Sequence, residues 1–368
     1  MSLRRTGFAL ALIGLLGLFT ASLLEIFVRV FAPQVLPQDV PDLWVQDEAI
    51  RWKHHANARV LANTGERDVW VCTDAAGDRV DCAAPAHAAC RKRILAVGDS
   101  YVEALAIPFQ ETVWQRLDTD TGACSSIAGV SGYYLSQYLA TVRTRLAEPG
   151  AHFDLVILAL YVGNDMTDRA EALPATQDVQ RRPLRLLPAQ LTAKGIYDWF
   201  YPYNAWLESR SHAYVALRFA IRRFNDPGDV GLYGVPRALR KSQLTPAFLD
   251  ETARGVRLAA EAAHLHAARV LVVVIPERSQ VLDPDGARLE QGLPKLAGDI
   301  DMDLIKREFV PRLEAIDAVD RVVDLLPILR ANPDPAFWGE RDAHLSPLGH
   351  AKWFEAIRAP VRELLGER

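Results

Sequence analysis

An unbroken apolar run is the feature that most constrains how this chain can fold. Residues 270–275 read Val-Leu-Val-Val-Val-Ile directly after Arg269. A strand with one face in water alternates apolar and polar residues, whereas a strand of a parallel sheet is covered on both faces. The run therefore predicts a buried parallel strand. Similar short apolar runs predict four more strands, at 93–97, 124–128, 154–160 and 321–324.

Helical segments are predicted between and after these strands. They lie near 111–119, 134–148, 247–267, 303–315 and 347–364. Regular alternation of strand and helix predicts an α/β fold with a three-layer, doubly wound parallel sheet. In such folds the functional residues lie beyond the carboxyl ends of the strands.

Four short polar blocks follow strands or strand-like segments. They are Gly98-Asp99-Ser100-Tyr101, Ala128-Gly129-Val130-Ser131-Gly132, Gly163-Asn164-Asp165 and, before the last helix, Asp342-Ala343-His344. A single Gly-Asp-Ser is a common turn and carries little information. Four blocks in a fixed order, supplying a serine, a glycine, an asparagine and a histidine, are far more specific.

This set resembles the SGNH hydrolase superfamily, also called the GDSL esterases and lipases, over roughly residues 93–365. The resemblance implies a flavodoxin-like α/β fold and a serine esterase that needs no cofactor. Ser100 would be the nucleophile and His344 the base that activates it. Asp342 would orient the imidazole. The backbone N–H groups of Ser100 and Gly132 and the side chain of Asn164 would form the oxyanion hole.

Two positions depart from the family pattern. The family places an aspartate three residues before the histidine, where this chain has Arg341; the nearest carboxylates are Asp342 and Glu340. Asp342 is predicted, because residues two apart in an extended segment face the same side. In the glycine block, Gly129 is the alternative to Gly132. Gly132 is predicted, because it lies in the loop beyond the strand.

Composition and histidine spacing exclude other classes of function. The net charge is −4 and there is no long basic run, so nucleic acid is not an expected partner. His54-His55 and His264-x-His266 lack further ligands at useful spacing, so no metal site is predicted. The expected partners are therefore an ester substrate, of a glycan or a lipid, and a membrane. These features do not determine the oligomeric state.

The N-terminus predicts a membrane anchor. Arg4 and Arg5 precede an uncharged stretch from residue 7 to 24, and Pro33 ends the apolar pattern. The stretch is near the lower length limit for crossing a bilayer. The positive-inside rule then gives a single-pass inner-membrane protein with a periplasmic catalytic domain. The alternative is a cleaved signal peptide.

Cysteine placement agrees with export. The chain has four cysteines and no Cys-x-x-Cys pair, so three disulfide pairings are possible. Cys72–Cys82 is favoured because these residues bracket a turn-like segment at 74–78, which leaves Cys90–Cys124 at the starts of two neighbouring strands. Disulfides indicate an oxidising compartment.

The predicted organisation has three parts. Residues 1–33 form the cytoplasmic tip and anchor, 34–92 an extension with β pieces, and 93–368 the hydrolase domain. A helical insertion at 166–245 interrupts that domain and is either a cap over the site or a small core of its own. Within it, a group of arginines is followed by a group of aromatic residues: Arg181, Arg182 and Arg185, then Tyr197, Trp199, Phe200, Tyr201, Tyr203 and Trp206.

These features together predict an extracytoplasmic serine esterase that removes O-acyl, especially acetyl, groups from envelope glycans. An O-acyltransferase of polysaccharide modification would use the same machinery, and a lysophospholipase-like esterase is a further alternative. A non-enzymatic envelope-assembly protein is the hypothesis from another class. The intact Ser-Gly-Asn-His set argues against it.

Overall fold

The computed structural model describes residues 3–34, 36, 40–83, 90–166, 199–200, 203–204, 206–225, 237–337 and 342–366. The chain forms two compact units. One comprises Met1–Asp39 and Arg181–Pro227, and the other Val40–Gln180 and Gly228–Arg368. The three-part division expected from the sequence stays a prediction.

The described residues of the larger unit form ten strands. They are β1 (Trp44–Asp47), β2 (Arg51–His54), β3 (Arg59–Asn63), β4 (Asp68–Thr73), β5 (Arg79–Val80), β6 (Arg93–Gly98), β7 (Cys124–Gly129), β8 (Leu155–Tyr161), β9 (Arg269–Ile275) and β10 (Arg321–Asp324). The last five form one parallel sheet in the order β10-β9-β8-β6-β7. The predicted α/β fold class is therefore confirmed, and each predicted core strand is present to within a residue.

Helices follow the strands on both sides of the sheet. In the described part of the chain they are α1 (Leu3–Phe31), α2 (Ser100–Glu103), α3 (Val113–Thr121), α4 (Leu135–Leu146), α5 (His212–Asn225), α6 (Pro246–Leu265), α7 (Arg278–Leu282), α8 (Ala287–Gly292), α9 (Leu304–Glu308), α10 (Val310–Glu314), α11 (Leu326–Arg330), α12 (Pro333–Ala336) and α13 (Pro347–Leu364). Short 3-10 turns occur at Pro41–Leu43, Phe109–Glu111, Arg237–Leu239 and Pro294–Leu296.

One predicted helix is divided in two. The segment 303–315 forms two short helices, α9 and α10, that meet at Phe309. Pro311 has no N–H for a bond to the preceding turn, and its ring crowds the carbonyl four residues back. A proline is tolerated in the first turn of a new helix, which is where Pro311 lies.

The strand order places the functional blocks at one edge of the sheet. Numbered from β6, the order is 2-1-3-4-5, the flavodoxin-like arrangement, whose topological switch point lies between β6 and β8. Gly98 pairs with Gly129, and Val97 with Leu158, so the three strands end nearly level. The loops after β6, β7 and β8 therefore share the crevice at the switch point.

Side chains of the sheet enter two separate cores. Leu95 and Val97 of β6 pack with residues of α4 and α6, whereas Ile94 and Ala96 pack with residues of α3 and α13. Neighbouring residues of a strand point to opposite faces, so both faces of β6 are covered. These two cores make the three layers of the fold.

The segment before β6 is built from antiparallel strands. β1 and β2 form a hairpin, and β3, β4 and β5 a three-stranded sheet. Cys72 pairs with Cys82 beside the β4–β5 turn, and Cys90 pairs with Cys124 at the start of β7. Both predicted disulfides are present.

The smaller unit contains α1 and α5. Ala11–Phe31 is 21 residues long, has a mean hydropathy of 2.2 and is unburied, so by length and composition it can cross a bilayer. Glu25 pairs with Arg29 at 2.8 Å and accepts a 2.9 Å hydrogen bond from the Ala213 N–H at the start of α5. Arg181, Arg182, Arg185, Tyr197 and Tyr201 lie outside the described residues, so the cap stays a prediction.

Candidate active site

Ser100 follows directly after the strand β6. Gly98 ends the strand, and a side chain there would place its Cβ 2.2 Å from Val102 Cγ2. Asp99 Oδ1 accepts a 2.9 Å hydrogen bond from the Tyr101 N–H and so caps α2, in which Ser100 is the first residue. The glycine allows a tight turn, and the cap fixes the direction in which the serine leaves the sheet.

Ser100, His344 and Asp342 are brought together by the fold. Ser100 Oγ lies 2.7 Å from His344 Nε2, and His344 Nδ1 contacts Asp342 Oδ1. The same Asp342 oxygen accepts a 2.8 Å hydrogen bond from the His344 backbone N–H, and Asp342 is 4% exposed. The alternative Glu340 and the neighbouring Arg341 lie outside the described residues.

Tyr101 packs against the ring of His344 and helps to hold it in place. Its hydroxyl donates a 3.2 Å hydrogen bond to the carbonyl of Ala343, and its ring centre lies 4.8 Å from that of His344. The Tyr101 ring also stacks on that of Tyr161 in β8, with 4.3 Å between the ring centres. The imidazole therefore rests on aromatic side chains that belong to the central sheet region.

Charge pairing sets the protonation of the site. Burial alone would raise the pKa of Asp342, but the His344 charge and the hydrogen bonds from His344 lower it to about 2. Burial alone would lower the pKa of His344, but the Asp342 carboxylate raises it to about 9. An opposite charge at hydrogen-bond distance favours both charged forms. Both shifts favour the charged forms of the pair, so His344 gains base character as the pH rises through its raised pKa.

The loop after β7 is a tight turn. The Tyr133 N–H donates to the carbonyl of Val130 at 3.1 Å, and Gly132 has a φ of +78°, which favours glycine. Gly129 instead ends β7, where an added Cβ would lie 2.4 Å from Val102 Cβ and 2.9 Å from the Glu103 nitrogen. Gly132 thus lies in the loop and Gly129 in the packed strand; the oxyanion role of Gly132 stays a prediction.

Asn164 lies in the loop after β8, next to the switch point. Its Nδ2 donates a 3.0 Å hydrogen bond to Asp99 Oδ2. Asp99 is buried, and burial raises its pKa to about 6. Through this bond, Asp99 links Asn164 to the turn that carries Ser100.

Asp165, by contrast, is structural: its Oδ2 accepts 2.6 Å hydrogen bonds from the Tyr138 hydroxyl and the Tyr161 N–H.

A small cavity of about 50 Å³ lies beside Ser100. Its apolar wall consists of Ala104, Leu105, Ala106, Ile107 and Leu345, and its polar rim includes Ser131 and Thr64. Arg79 of β5, which is 1% exposed, donates to the carbonyls of Glu103, Ala104 and Ile107. The segment before β6 therefore fixes one wall of the cavity.

Sequence reasoning did not identify the buried polar residues that support this site. Glu103 is fully buried, and it accepts hydrogen bonds from Ser131 and from Trp44. Glu66 accepts a 3.1 Å hydrogen bond from the Asp342 N–H. A sequence signal existed for Glu103, since it is the lone charge in the apolar run from Tyr101 to Ala106. An uncompensated charge in such a run indicates specific partners.

Within the described residues, no cluster of three or more His, Cys, Asp or Glu side chains could hold a metal ion. His54 belongs to the Glu103 network, and His264 pairs with Asp320 at 3.0 Å.

A serine hydroxyl, an imidazole and a buried carboxylate bonded in this order form the set of Ser-His-Asp hydrolases. This geometry and the flavodoxin-like strand order agree with the fold and the Ser, His and Asp roles that the sequence resemblance implies. No protein-family model and no curated protein matches the sequence.

Solved structures similar to this chain include a lipolytic protein of the G-D-S-L family from Veillonella parvula. It is 12% identical, with 73% of this chain and 97% of that chain covered and a TM-score of 0.39. Another is a catalytic mutant of an acetylxylan esterase from Geobacillus stearothermophilus. It is 11% identical, with 76% of this chain and 97% of that chain covered and a TM-score of 0.37. A third is a putative acylhydrolase from Bacteroides fragilis. It is 13% identical, with 77% of this chain and 93% of that chain covered and a TM-score of 0.36.

Proposed function

We propose that this protein is a serine esterase of the SGNH type that works through an acyl-enzyme on Ser100. The observation that carries the proposal is the 2.7 Å contact between Ser100 Oγ and His344 Nε2, with Asp342 on the other imidazole nitrogen. A hydroxyl becomes a useful nucleophile only when a positioned base can take its proton. These three side chains have the geometry for that step.

In the proposed reaction, neutral His344 takes the Ser100 proton as Oγ bonds to the ester carbonyl carbon. The carbonyl π electrons move to the oxygen, which the N–H donors of Ser100, Gly132 and Asn164 hold. Collapse of this intermediate breaks the bond to the alcohol, which leaves with the proton from His344. Water repeats the sequence on the acyl-enzyme, and the carboxylic acid and free Ser100 result.

The shape of the site favours a short acyl group on a bulky alcohol. A cavity of about 50 Å³ has room for roughly three to four water-sized groups, which suits an acetyl better than a long chain. By contrast, the side chain of His344 is 36% exposed, so the leaving-group side opens to solvent. We therefore propose acetyl esters of envelope glycans as the substrate.

Ser100→Ala tests the chemistry. The full-length variant in detergent should lose turnover of p-nitrophenyl acetate and labelling by a fluorophosphonate, while its circular dichroism is unchanged. Ser242→Ala, in an exposed turn where the Ser242 hydroxyl donates a hydrogen bond to Asp299, is the matched control. Retained ester turnover in Ser100→Ala would exclude the acyl-enzyme.

The substrate is tested by acetate release from O-acetylated glycans, in parallel with a lysophospholipid and a series of p-nitrophenyl esters from acetyl to octanoyl. Activity should fall steeply beyond propionyl. Adding an unacetylated glycan tests acyl transfer, which would form a new ester instead of free acetate. A preference for octanoyl or lysophospholipid would contradict the proposed acyl specificity.

We further propose a single-pass anchor with the catalytic unit outside the cytoplasm. The apolar helix Ala11–Phe31 and the two disulfides support it. A periplasmic reporter fused at the C-terminus should be active, and mass spectrometry of the membrane fraction should find the N-terminus intact. A mature chain that begins near residue 33 would show instead that the helix is a cleaved signal.

A further inference from the structure

The peptide between Ser131 and Gly132 is the middle peptide of the turn after β7. A turn closed by Tyr133 N–H and Val130 O can take two forms, which differ mainly by a rotation of this peptide through about 180°. The φ of +78° at Gly132 is that of the type II form. The direction of the Gly132 N–H therefore depends on which form the protein stabilises.

Two buried side chains hold this peptide in place. Trp52, which is 1% exposed, donates a 3.2 Å hydrogen bond from Nε1 to the carbonyl of Ser131. The peptide unit is planar and trans, so fixing the carbonyl also fixes the Gly132 N–H, which points the opposite way. Within the described part of the chain, no protein group accepts a hydrogen bond from this N–H, which leaves it available to a ligand.

Glu103 holds the residue before that peptide. Its Oε2 accepts a 2.9 Å hydrogen bond from the Ser131 N–H and also contacts Ser131 Oγ. Its Oε1 lies 2.6 Å from His54 Nε2 and 3.1 Å from Trp44 Nε1. A buried carboxylate with this many partners is rigidly placed, because any movement would leave a charge unpaired.

The β1–β2 hairpin is thereby joined to the active site. Trp44, Trp52 and His54 all come from this hairpin, and the Tyr133 hydroxyl donates a 2.6 Å hydrogen bond to the carbonyl of Trp52. Ser131, which these contacts tether, is one of the residues that line the cavity beside Ser100.

We propose that Trp52 and Glu103 are positioning residues that hold the Ser131–Gly132 peptide with its N–H aimed at the oxyanion. The inference rests on the proposed esterase function and deepens it. Neither residue touches the substrate. Their effect is on the transition state, in which the carbonyl oxygen becomes an anion and the N–H donor matters most.

The test compares Trp52→Phe and Glu103→Gln in the full-length protein. Phenylalanine keeps a buried ring but removes the indole N–H, and glutamine keeps the shape but removes the charge. Ser131→Ala is the milder variant, since it keeps the backbone N–H. Thr73→Val is the control: it removes two hydrogen bonds of the same segment, one accepted from the Ala58 N–H and one donated to the His55 carbonyl, neither of which involves Trp52, Glu103 or Ser131.

The measurement is kcat and KM for p-nitrophenyl acetate and for its thionoacetate analogue. Sulfur is a weaker hydrogen-bond acceptor than oxygen, so the thionoester depends less on the oxyanion donors. Loss of one donor lowers kcat by about 100- to 1,000-fold. A donor that is misdirected rather than deleted should cost about 10- to 100-fold, with KM nearly unchanged and the preference for oxygen over sulfur reduced.

Reduced oxygen preference in Trp52→Phe and Glu103→Gln, but not in Thr73→Val, would support the proposal. An unchanged kcat in folded Trp52→Phe and folded Glu103→Gln would overturn it, as would a kcat loss with the same oxygen preference as the wild type. Wild-type protein without turnover or fluorophosphonate labelling would overturn the proposed function itself, and this inference with it.

Discussion

Asp342→Asn should separate the two effects of the carboxylate on His344, which are orientation and charge. In the wild type, kcat/KM should rise with pH as His344 loses its proton, with an apparent pKa near 9. Asparagine removes the negative charge. Because an adjacent opposite charge shifts a pKa by about 1–3 units, the midpoint should move toward acid by that amount.

The same substitution should also lower the maximal rate. Asparagine can hold the imidazole in the wrong tautomer, and it cannot stabilise the imidazolium that forms as Ser100 attacks. A loss of about 100- to 10,000-fold in kcat is expected. Since 36% of the His344 side chain is exposed, solvent screens part of the charge effect, so the pH shift should fall in the lower half of its range.

The assay is the pH dependence of kcat/KM for p-nitrophenyl acetate from pH 5 to 10, with labelling of Ser100 as a count of competent sites. Glu340→Gln removes the other carboxylate of the segment and should leave both midpoint and rate unchanged. An Asp342→Asn profile with the wild-type midpoint would refute the charge argument. A rate loss in Glu340→Gln equal to that in Asp342→Asn would contradict the assignment of Asp342 as the carboxylate that orients His344.

The protonation of His344 should also affect the stability of the protein, but in the opposite direction to its effect on activity. The pKa of His344 in the folded protein, about 9, lies above its usual value of 6.5, so between these pH values the native state binds more protons than the unfolded state. The free energy of unfolding should therefore decrease from pH 6.5 to 9. Asp342→Asn should abolish most of that slope, as measured by urea denaturation; an equal slope in the variant would exclude His344 as its origin.

Three further predictions concern the framework of the site. The disulfide loops span 10 and 34 residues. In chemical denaturation under oxidising conditions, Cys72→Ser should therefore lower the free energy of unfolding by about 3 kcal/mol and Cys90→Ser by about 4 kcal/mol. Equal losses below about 1 kcal/mol would contradict this. Gly129→Ala should lower the melting temperature sharply, because its Cβ would meet the Glu103 backbone nitrogen at 2.9 Å; an unchanged melting temperature would mean that the strand end is not tightly packed. Leu105→Ala should raise turnover of the butyryl ester relative to the acetyl ester, because it removes part of the cavity wall; an unchanged ratio would place the acyl group elsewhere.

Much of the fold was predictable from local pattern. The strand 269–275 and the core strands at 93–97 and 321–324 were evident because a covered parallel strand needs an uninterrupted apolar run. The functional blocks were evident for a related reason, since polar residues that directly follow such strands must lie at the edge of the sheet. The helix near 303–315 was predicted as one piece, but it is divided next to Pro311, which has no N–H for the preceding turn.

The candidate residues were predictable by type, but their mutual geometry was not. Ser100 and His344 are 244 positions apart, and the 2.7 Å between their reactive atoms results from the order of the strands and the packing of α13. The pairing of His344 with Asp342 joins two residues only two positions apart, so local sequence was sufficient to suggest it.

The supporting contacts of Trp52, Glu103 and Arg79 were decided by tertiary structure alone. Each joins the segment before β6 to a loop or helix that follows the central strands, and nothing in local composition specifies the partner. Burial gives the physical reason. A strand or a turn can be recognised by its own residues, whereas a buried polar group is stabilised only by the particular donor or acceptor that the completed fold places beside it.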